Sequence, residues 1–410
     1  MASIRKRSWS NASGAHTAFI LDYTDRAGTR HIKTFARRRD ADAARTQVTG
    51  ELAAGTHTPR HRSATVAVAC AAWITQAEAD GLERSTIRQY RQHVAHILPL
   101  LGTTKLADLT VADVTAFRNE LFRAGHSRQM TKKIVSSFGA ILQHAQTIRL
   151  VAQNVVRVEI AENKTATRRR RLVEKRQERP IEAGVDYPTK DEIRAMLAVT
   201  SVVDRRGRRP NRSDPPDLPR REVLWWRALI ATAILSGLRA SELRALKWAN
   251  VNFAENQIEV RQRADRFNQI GPLKSSAARR EVPIGPWLAT ILREWRLAMP
   301  LKMRGADDLV FPNSIGRIAT LPSIHMRILL PLQREAGIAP PEGQKGPKYG
   351  LHALRHAAAS LWIDAGENVK KVQYLLGHST VQLTLDVYSH LWPEEDRASA
   401  ANLEKKLFKR

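Results

Sequence analysis

The sequence predicts a multidomain fold, mainly α with small β-sheets. A small β/α amino-terminal module, a helical middle domain and a mixed α+β third domain are expected. Three observations carry that expectation. Period-two alternation of apolar residues is confined to short stretches near residues 18–35 and 257–285, and helical spacing prevails elsewhere. Two polar, unpatterned, basic stretches interrupt the pattern, "GTHTPRHRSA" at 55–64 and "NKTATRRRRLVEKRQERP" at 163–180. The length, 410 residues, suffices for two or three domains that each bury a core.

In chain order, residues 1–58 form the first module. "AFILDYTDRAGTRHIKTF" reads as a hairpin around a polar Asp25-to-Gly28 turn, within a sheet of two or three strands. "RRRDADAARTQVTGEL" follows as a helix with Asp40 as its cap and Ala43, Ala44, Val48 and Leu52 along one side. Arg37, Arg38 and Arg39 mark the corner between them, either a solvated edge or a contact for a polyanion. Residues 64–160 show helical periodicity throughout, as in "RSTIRQYRQHVAHILPLL" and "TVADVTAFRNELFRAG", and predict a bundle of four or five helices. Ser85 and Thr110 carry N-cap chemistry, the latter with Asp113 three residues on. Arg84, Arg88, Arg91, Arg128, Lys132 and Lys133 fall on the polar faces.

A basic linker at 161–187, with four consecutive arginines, is expected to be exposed and able to lie along a phosphate backbone. The third domain, 188–392, opens with a capping box from Thr189 to Glu192. "DRRGRRPNRSDPPDLPRRE" at 204–222 reads as a disordered basic loop. "WWRALIATAILSGLRASELRALKW" is helical, "QIEVRQRA" and "ARREVPIG" are strands joined by "DRFNQIGPLKSS", and helices resume beyond. In the tail, 393–410, Pro393 ends the preceding helix, and a further helix carries a narrow stripe of Ala400, Leu403 and Leu407. That stripe suits docking on its own domain or on a neighbouring copy.

Lys and Arg total 67 against 40 Asp and Glu, a formal charge of +27. Such an excess repels itself in a compact chain unless a polyanion neutralises it, which points to nucleic acid. The longest apolar run, "ALIATAIL", is far below the roughly 18 residues of a membrane span. No membrane association is expected, and "MASIRKRSWS" shows no secretory signal. Cys70 is a single cysteine, so no intramolecular disulfide can form, in keeping with a reducing cytoplasm.

Three separated stretches hold residues suited to chemistry. "SGLRASELRALKW" sets Arg239 after a glycine at a helix junction, with Glu242 three residues on. "HALRHAAASLWIDAG" puts His352 and Arg355 on one helical face. "LLGHSTVQLTLDVYSHL" adds His378 and, ten residues later, Tyr388. Lys274 lies in the turn "GPLKSSAARREVPI" between the first two. Each alone has an ordinary reading: a surface charge, a local polar contact, a solvated lysine, a buried structural tyrosine. His352 and His356 stand at i, i+4, but the metal-binding HExxH pattern needs an acid beside the first histidine, so no metal or other cofactor is expected.

Together, in this order, these elements resemble the tyrosine recombinase (phage integrase) family. The matching parts are the "GLRxSEL" box, the lysine-bearing β-turn, the "HxLRH" box, and "LGHS" followed by the tyrosine. The resemblance covers about 188–392. The segment 64–160 looks like the family's core-binding domain, and 1–58 like an arm-site-binding domain. Relative to the family's "RHTxAT" run, Ala357 replaces a hydroxyl residue.

The resemblance implies a mixed α+β catalytic domain and a metal- and ATP-independent exchange of DNA strands through a 3′-phosphotyrosyl link. The implied assembly is a homotetramer on core and arm attachment sites in double-stranded DNA, with a possible accessory bending or directionality protein. Arg239 and Arg355 then suit the phosphate, because guanidinium is always charged and binds bidentately. His378 adds a donor, His352 is the candidate base for the Tyr388 nucleophile, Lys274 is the general acid for the leaving 5′-oxygen, and Glu242 orients Arg239 or a neighbour. Integrase of a prophage or other mobile element is the favoured role. The alternatives are a chromosome- or plasmid-resolution recombinase, a type IB topoisomerase, or a non-catalytic DNA-binding protein.

Overall fold

A computed structural model describes residues 2–11, 14–25, 28–54, 63–162, 179–199 and 221–392. The chain divides into two compact units, Met1–Gln177 and Glu178–Arg410. The 204–220 part of the basic loop, most of the 161–187 linker and the whole 393–410 tail lie outside the described residues.

In the first unit, β1 (Ser3–Asn11), β2 (Gly14–Thr24) and β3 (Arg30–Phe35) form an antiparallel meander, with Ser3 opposite Asp22 and Phe19 opposite Phe35. Helix α1 (Arg38–Ala54) covers one face through Ala41, Ala44, Val48 and Leu52, against Leu21 and Tyr23. Two details differ from expectation. Asp40 lies inside the first turn rather than at the cap, where its charge still favours the positive helix end. Ala41 takes the buried place expected of Ala43, which is exposed.

The bundle follows: α2 (Val66–Ala79), α3 (Arg84–Leu101), α4 (Val111–Arg123), α5 (Arg128–Thr147) and α6 (Val155–Glu162). Val66, Cys70, Trp73, Ile97, Phe117, Phe138 and Ile141 close its core. Thr110 and Asp113 form the expected capping box. Ser85 does not cap: α3 starts at Arg84 after Glu83, and the Ser85 hydroxyl turns to the Glu83 carboxylate. Thr65 and Ser127 instead accept from the amides of Val68 and Met130 to cap α2 and α5.

The second unit takes in the end of the expected linker, since Ile181 packs against its core and Tyr187 is buried. At the other end, residues 161 and 162 belong to α6. Helix α7 (Lys190–Val199) starts at the Thr189–Glu192 box, with reciprocal bonds of 2.8 and 3.1 Å. Helix α8 (Arg221–Ser236) runs through the centre, packed against α10 (Pro286–Ala298) and α13 (Leu351–Asp364). Trp295 of α10 is fully buried and donates its indole N–H to the Val310 carbonyl at 2.7 Å.

"QIEVRQRA" is not one strand. It splits into β5 (Gln257–Val260) and β6 (Gln262–Ala264), which enter different sheets. β5 lies between β4 (Val251–Asn252) and β8 (Arg280–Pro283), and β6 pairs with β7 (Ile270–Pro272) inside the expected connection. Leu321–Ile324 (α11), a π-helical turn at His325–Leu329, and Leu330–Glu335 (α12) run on consecutively. Helices α14 (Val369–Leu376) and α15 (Val381–Tyr388) finish the described chain, with a 3-10 turn at Ser389–Leu391. The helix thus stops at Tyr388, before Pro393.

Candidate active site

Helix α8 ends at Gly237, whose φ of +56° suits glycine; an added Cβ would lie 2.8 Å from the Trp362 ring. The chain then turns into α9 (Ala240–Arg244), with Arg239 at its N-cap. The Arg239 amide donates to Glu242 Oε2 and its Nη1 to Glu242 Oε1, both at 2.8 Å, while Nη2 donates to the Gly377 carbonyl at 2.7 Å. Arg355, on α13, is 3% exposed. Its Nη1 donates to the Gly237 carbonyl at 2.7 Å and its Nη2 to the Leu376 carbonyl at 2.5 Å. The two expected arginines therefore meet at one corner, between the end of α8 and the end of α14. Burial, then the charge of Arg239, lowers the pKa of Arg355, with Glu242 opposing; an arginine stays cationic at neutral pH under such a shift.

Sequence reasoning passed over Arg280. It is 2% exposed on β8 and bonds both Glu242 oxygens, at 2.9 and 3.2 Å. Its other N–H groups go to the carbonyls of Leu375 and Ala278 at 2.7 and 2.9 Å. Glu242 thus joins two arginines. Burial would raise its pKa, but Arg280 and Arg239 overcome that and hold the carboxylate ionised. Strand alternation was the available signal, because Arg280 and Val282 share the inward face of "REVP".

Helix α14 closes with Gly377 in the left-handed region at φ +63°, and His378 follows. His378 Nδ1 lies 3.0 Å from the Thr384 hydroxyl on α15. Burial, reinforced by Arg355, Arg239 and Arg280, lowers its pKa to about 4. Tyr388 is 2% exposed, and burial pushes its phenol above the ordinary value, against the pull of Arg355. Its hydroxyl lies 2.7 Å from His356 Nδ1, a residue considered in the sequence only as a metal ligand. Among the described residues no group of three His, Cys, Asp or Glu is placed to hold a metal ion.

His352 is exposed on α13; its ring meets that of His356 edge to face at 4.6 Å. Partial desolvation, then Arg355 and Arg239, lowers its pKa. Lys274 is exposed between β7 and the turn Ser276–Ala278, and it is not brought into hydrogen bonding with these residues. The β6–β7 turn before it is anchored by Arg244, whose Nε donates to the Ala319 carbonyl at 2.6 Å and whose Nη2 bonds Asn268.

Of the other tyrosines in this unit, Tyr374 is 44% exposed, and Tyr349 is fully buried with its hydroxyl 2.9 Å from Glu192. Of the residues proposed for DNA contact, Arg37, Arg38, Arg39, Arg84, Arg88, Arg91, Arg128, Lys132 and Lys133 are all exposed. Arg91 pairs with Glu78, and Arg38 lies 3.8 Å from Asp42.

Residues 217–395 match the model of the phage integrase family, and residues 69–122 match that of the phage integrase N-terminal SAM-like domain. The tyrosine recombinase XerC of Xylella fastidiosa (strain 9a5c) is 31% identical over 165 residues, 40% of this chain and 48% of the relative. XerC of Pseudomonas aeruginosa is 24% identical over 311 residues, 75% of this chain and 84% of the relative. The chain spans about half the length of the first curated relatives it matches. The Tn1549 transposon integrase, solved with transposon right end DNA, shares the fold at a TM-score of 0.59 and 17% identity, over 84% of this chain and 100% of that one. A lambda integrase tetramer bound to a Holliday junction aligns at a TM-score of 0.51 and 17% identity, over 95% of each chain. Fold and family matches together define the class, a tyrosine recombinase. The chain belongs to the phage integrase family.

Proposed function

We propose that this chain is a site-specific DNA recombinase that cuts and rejoins DNA through a 3′-phosphotyrosyl intermediate, as the integrase of a prophage or other mobile element. The observation that carries the reading is the corner where Arg239 and Arg355 donate to the carbonyls of Gly237, Leu376 and Gly377, next to His378, with Tyr388 buried against the helix that carries Arg355. A phosphodiester repels a nucleophile, and charge grows on its non-bridging oxygens during attack. Arg239 and Arg355 meet that charge with fixed guanidinium forks, and His378 adds a donor.

The Tyr388 oxygen forms the new bond to phosphorus and the 5′-oxygen leaves. Lys274 protonates that oxygen from its exposed turn, and His352 takes the phenol proton. The link conserves the energy of the broken bond, so a partner strand's 5′-hydroxyl reverses the step without ATP. We expect cleavage to proceed in EDTA, since the Arg239 and Arg355 guanidinium groups supply the positive charge and the neutral His378 ring a further hydrogen bond.

The proposed assembly is a homotetramer exchanging strands between two duplexes in the cytoplasm, with a bending or directionality protein as a further partner. Domain roles follow the same reading: 1–58 for arm sites, 64–160 for the core site, 188–392 for chemistry. Resolution of chromosome or plasmid dimers is the second reading, favoured by the XerC relatives. Direct repeats at the DNA joints flanking the gene would decide for integration.

Tyr388→Phe tests the chemistry. On a nicked suicide substrate the unaltered chain should give a covalent protein–DNA band on denaturing gels, and the variant none, with DNA binding retained. A band with the variant would move the nucleophile elsewhere and overturn the assignment.

A further inference from the structure

The contact between His356 and Tyr388 has no part in the mechanism above. His356 follows Arg355 on α13, and the two rings are tilted at 55° with centroids 5.6 Å apart. The phenol is 2% exposed, packed with Ala359, Ile363, Val372 and Leu376. A buried O–H left without an acceptor is costly, so the 2.7 Å contact is best satisfied with the phenol donating and Nδ1 accepting. That assignment requires a neutral imidazole. Burial, then His352 and Arg355, lowers the His356 pKa to about 4, which keeps it neutral at physiological pH.

We propose that His356 is a positioning residue for Tyr388: its Nδ1 accepts the phenol O–H and fixes the oxygen beside the Arg355 guanidinium, leaving the lone pairs to face a phosphate held there. The inference rests on Tyr388 being the nucleophile. His356 is not the base. Burial raises the phenol above its ordinary value and lowers the imidazole to about 4, so the proton stays on the oxygen in this contact. Its place next to Arg355 in the chain gives both groups one rigid support, so a shift of α13 moves phosphate site and nucleophile together.

The test uses the full chain and two variants. His356→Asn offers an amide near the position of Nδ1, and His356→Phe fills the space without a nitrogen. With saturating nicked DNA, His356→Phe should form covalent complex about 10- to 100-fold more slowly, the scale of a small misplacement of a reacting group, with unchanged DNA affinity. His356→Asn should recover most of that loss. In chains carrying 3-fluorotyrosine, the residue-388 resonance, assigned by its absence in Tyr388→Phe, should move in His356→Phe and stay near its original place in His356→Asn.

Wild-type cleavage by His356→Phe, equal loss in both variants, or a resonance unmoved in His356→Phe would overturn the proposal. Should His356→Phe lose DNA binding altogether, His356→Asn decides alone: cleavage below a tenth of wild type, or a displaced resonance, overturns it. Absence of any covalent complex from the unaltered chain would instead break the recombinase reading, and the fluorine resonances would still judge the hydrogen bond.

Discussion

The helical bundle and the carboxy-terminal unit handle positive charge in opposite ways. In the bundle Arg84, Arg88, Arg91, Arg128, Lys132 and Lys133 are exposed, and no lysine or arginine is buried among its described residues. The second unit buries Arg244, Arg280 and Arg355 to 3%, 2% and 3% exposure. An exposed cation is hydrated and screened by salt, so it raises affinity for a polyanion without fixing the geometry of a reacting group. A buried cation keeps its field in a medium of low dielectric, but it needs partners to remain there. Here those partners are the Glu242 carboxylate and the carbonyls of Gly237, Ala278, Ala319, Asp265, Leu375 and Leu376. On the proposed reading, binding and chemistry would draw on charges of one sign under different constraints, and substitutions should separate them.

The largest effect is expected at the buried end. Arg355→Lys keeps the charge but loses the fork that reaches two carbonyls, and cleavage should fall about 100- to 1,000-fold, the loss seen when one fixed transition-state donor is removed. Single-turnover cleavage with saturating DNA measures it; near-normal rates would show that charge alone suffices and erase the contrast between the two regions. Glu242→Ala leaves Arg280 buried without its counter-ion and should cost about 3–5 kcal/mol of stability in urea unfolding. A loss below about 1 kcal/mol would mean that the carbonyls alone hold Arg280.

A pH effect should follow from the same burial. His356 and His378 have folded pKa values of about 4, against 6.5 for an ordinary histidine. Between those values the unfolded chain binds more protons than the folded one, so stability is full above pH 6.5 and falls as the pH drops toward 4. The loss is at most about 3 kcal/mol for each ring. Glu242, with its pKa lowered, adds destabilisation in the same direction at more acidic pH. Urea midpoints across this range test the sign, and His378→Asn should flatten the slope. At the exposed end, Arg88→Ala and Lys132→Ala should leave stability within about 0.5 kcal/mol of wild type. If each side chain neutralises a phosphate, each change should lower the salt slope of DNA binding by about 0.9. An unchanged slope would show that this face does not meet the backbone.

Much of the architecture was legible where one residue pattern decides a local structure. The Thr110–Asp113 and Thr189–Glu192 boxes and the hairpin at Asp25–Gly28 are of that kind. Strand β1 left little period-two signal, because most of the described side chains of Ser3–Asn11 are exposed and polar on both faces. At the site, the pairs within one helix or turn could be read, Arg239 with Glu242 and His352 with Arg355. The bond from Arg280 to Glu242 crosses 38 residues and that from Arg239 to the Gly377 carbonyl crosses 138. Carbonyl acceptors carry no side-chain signature, so spacing could not reveal them. The His356–Tyr388 contact depends on how α15 folds back on α13, which no local periodicity reports.

The left-handed Gly377 has a consequence for redesign. A Cβ there would lie 2.9 Å from Arg280 Nη1, and the residue's own carbonyl receives Arg239. A larger residue would press on Arg280 and strain the left-handed turn whose carbonyl receives Arg239. On the proposed reading, redesign for new DNA sequences would have freedom on the exposed faces of α3 and α5, where side chains can be exchanged like interchangeable tool heads. The three residues Leu376–Gly377–His378 are the fixed chuck, and libraries that randomise them should return almost nothing but the parental glycine.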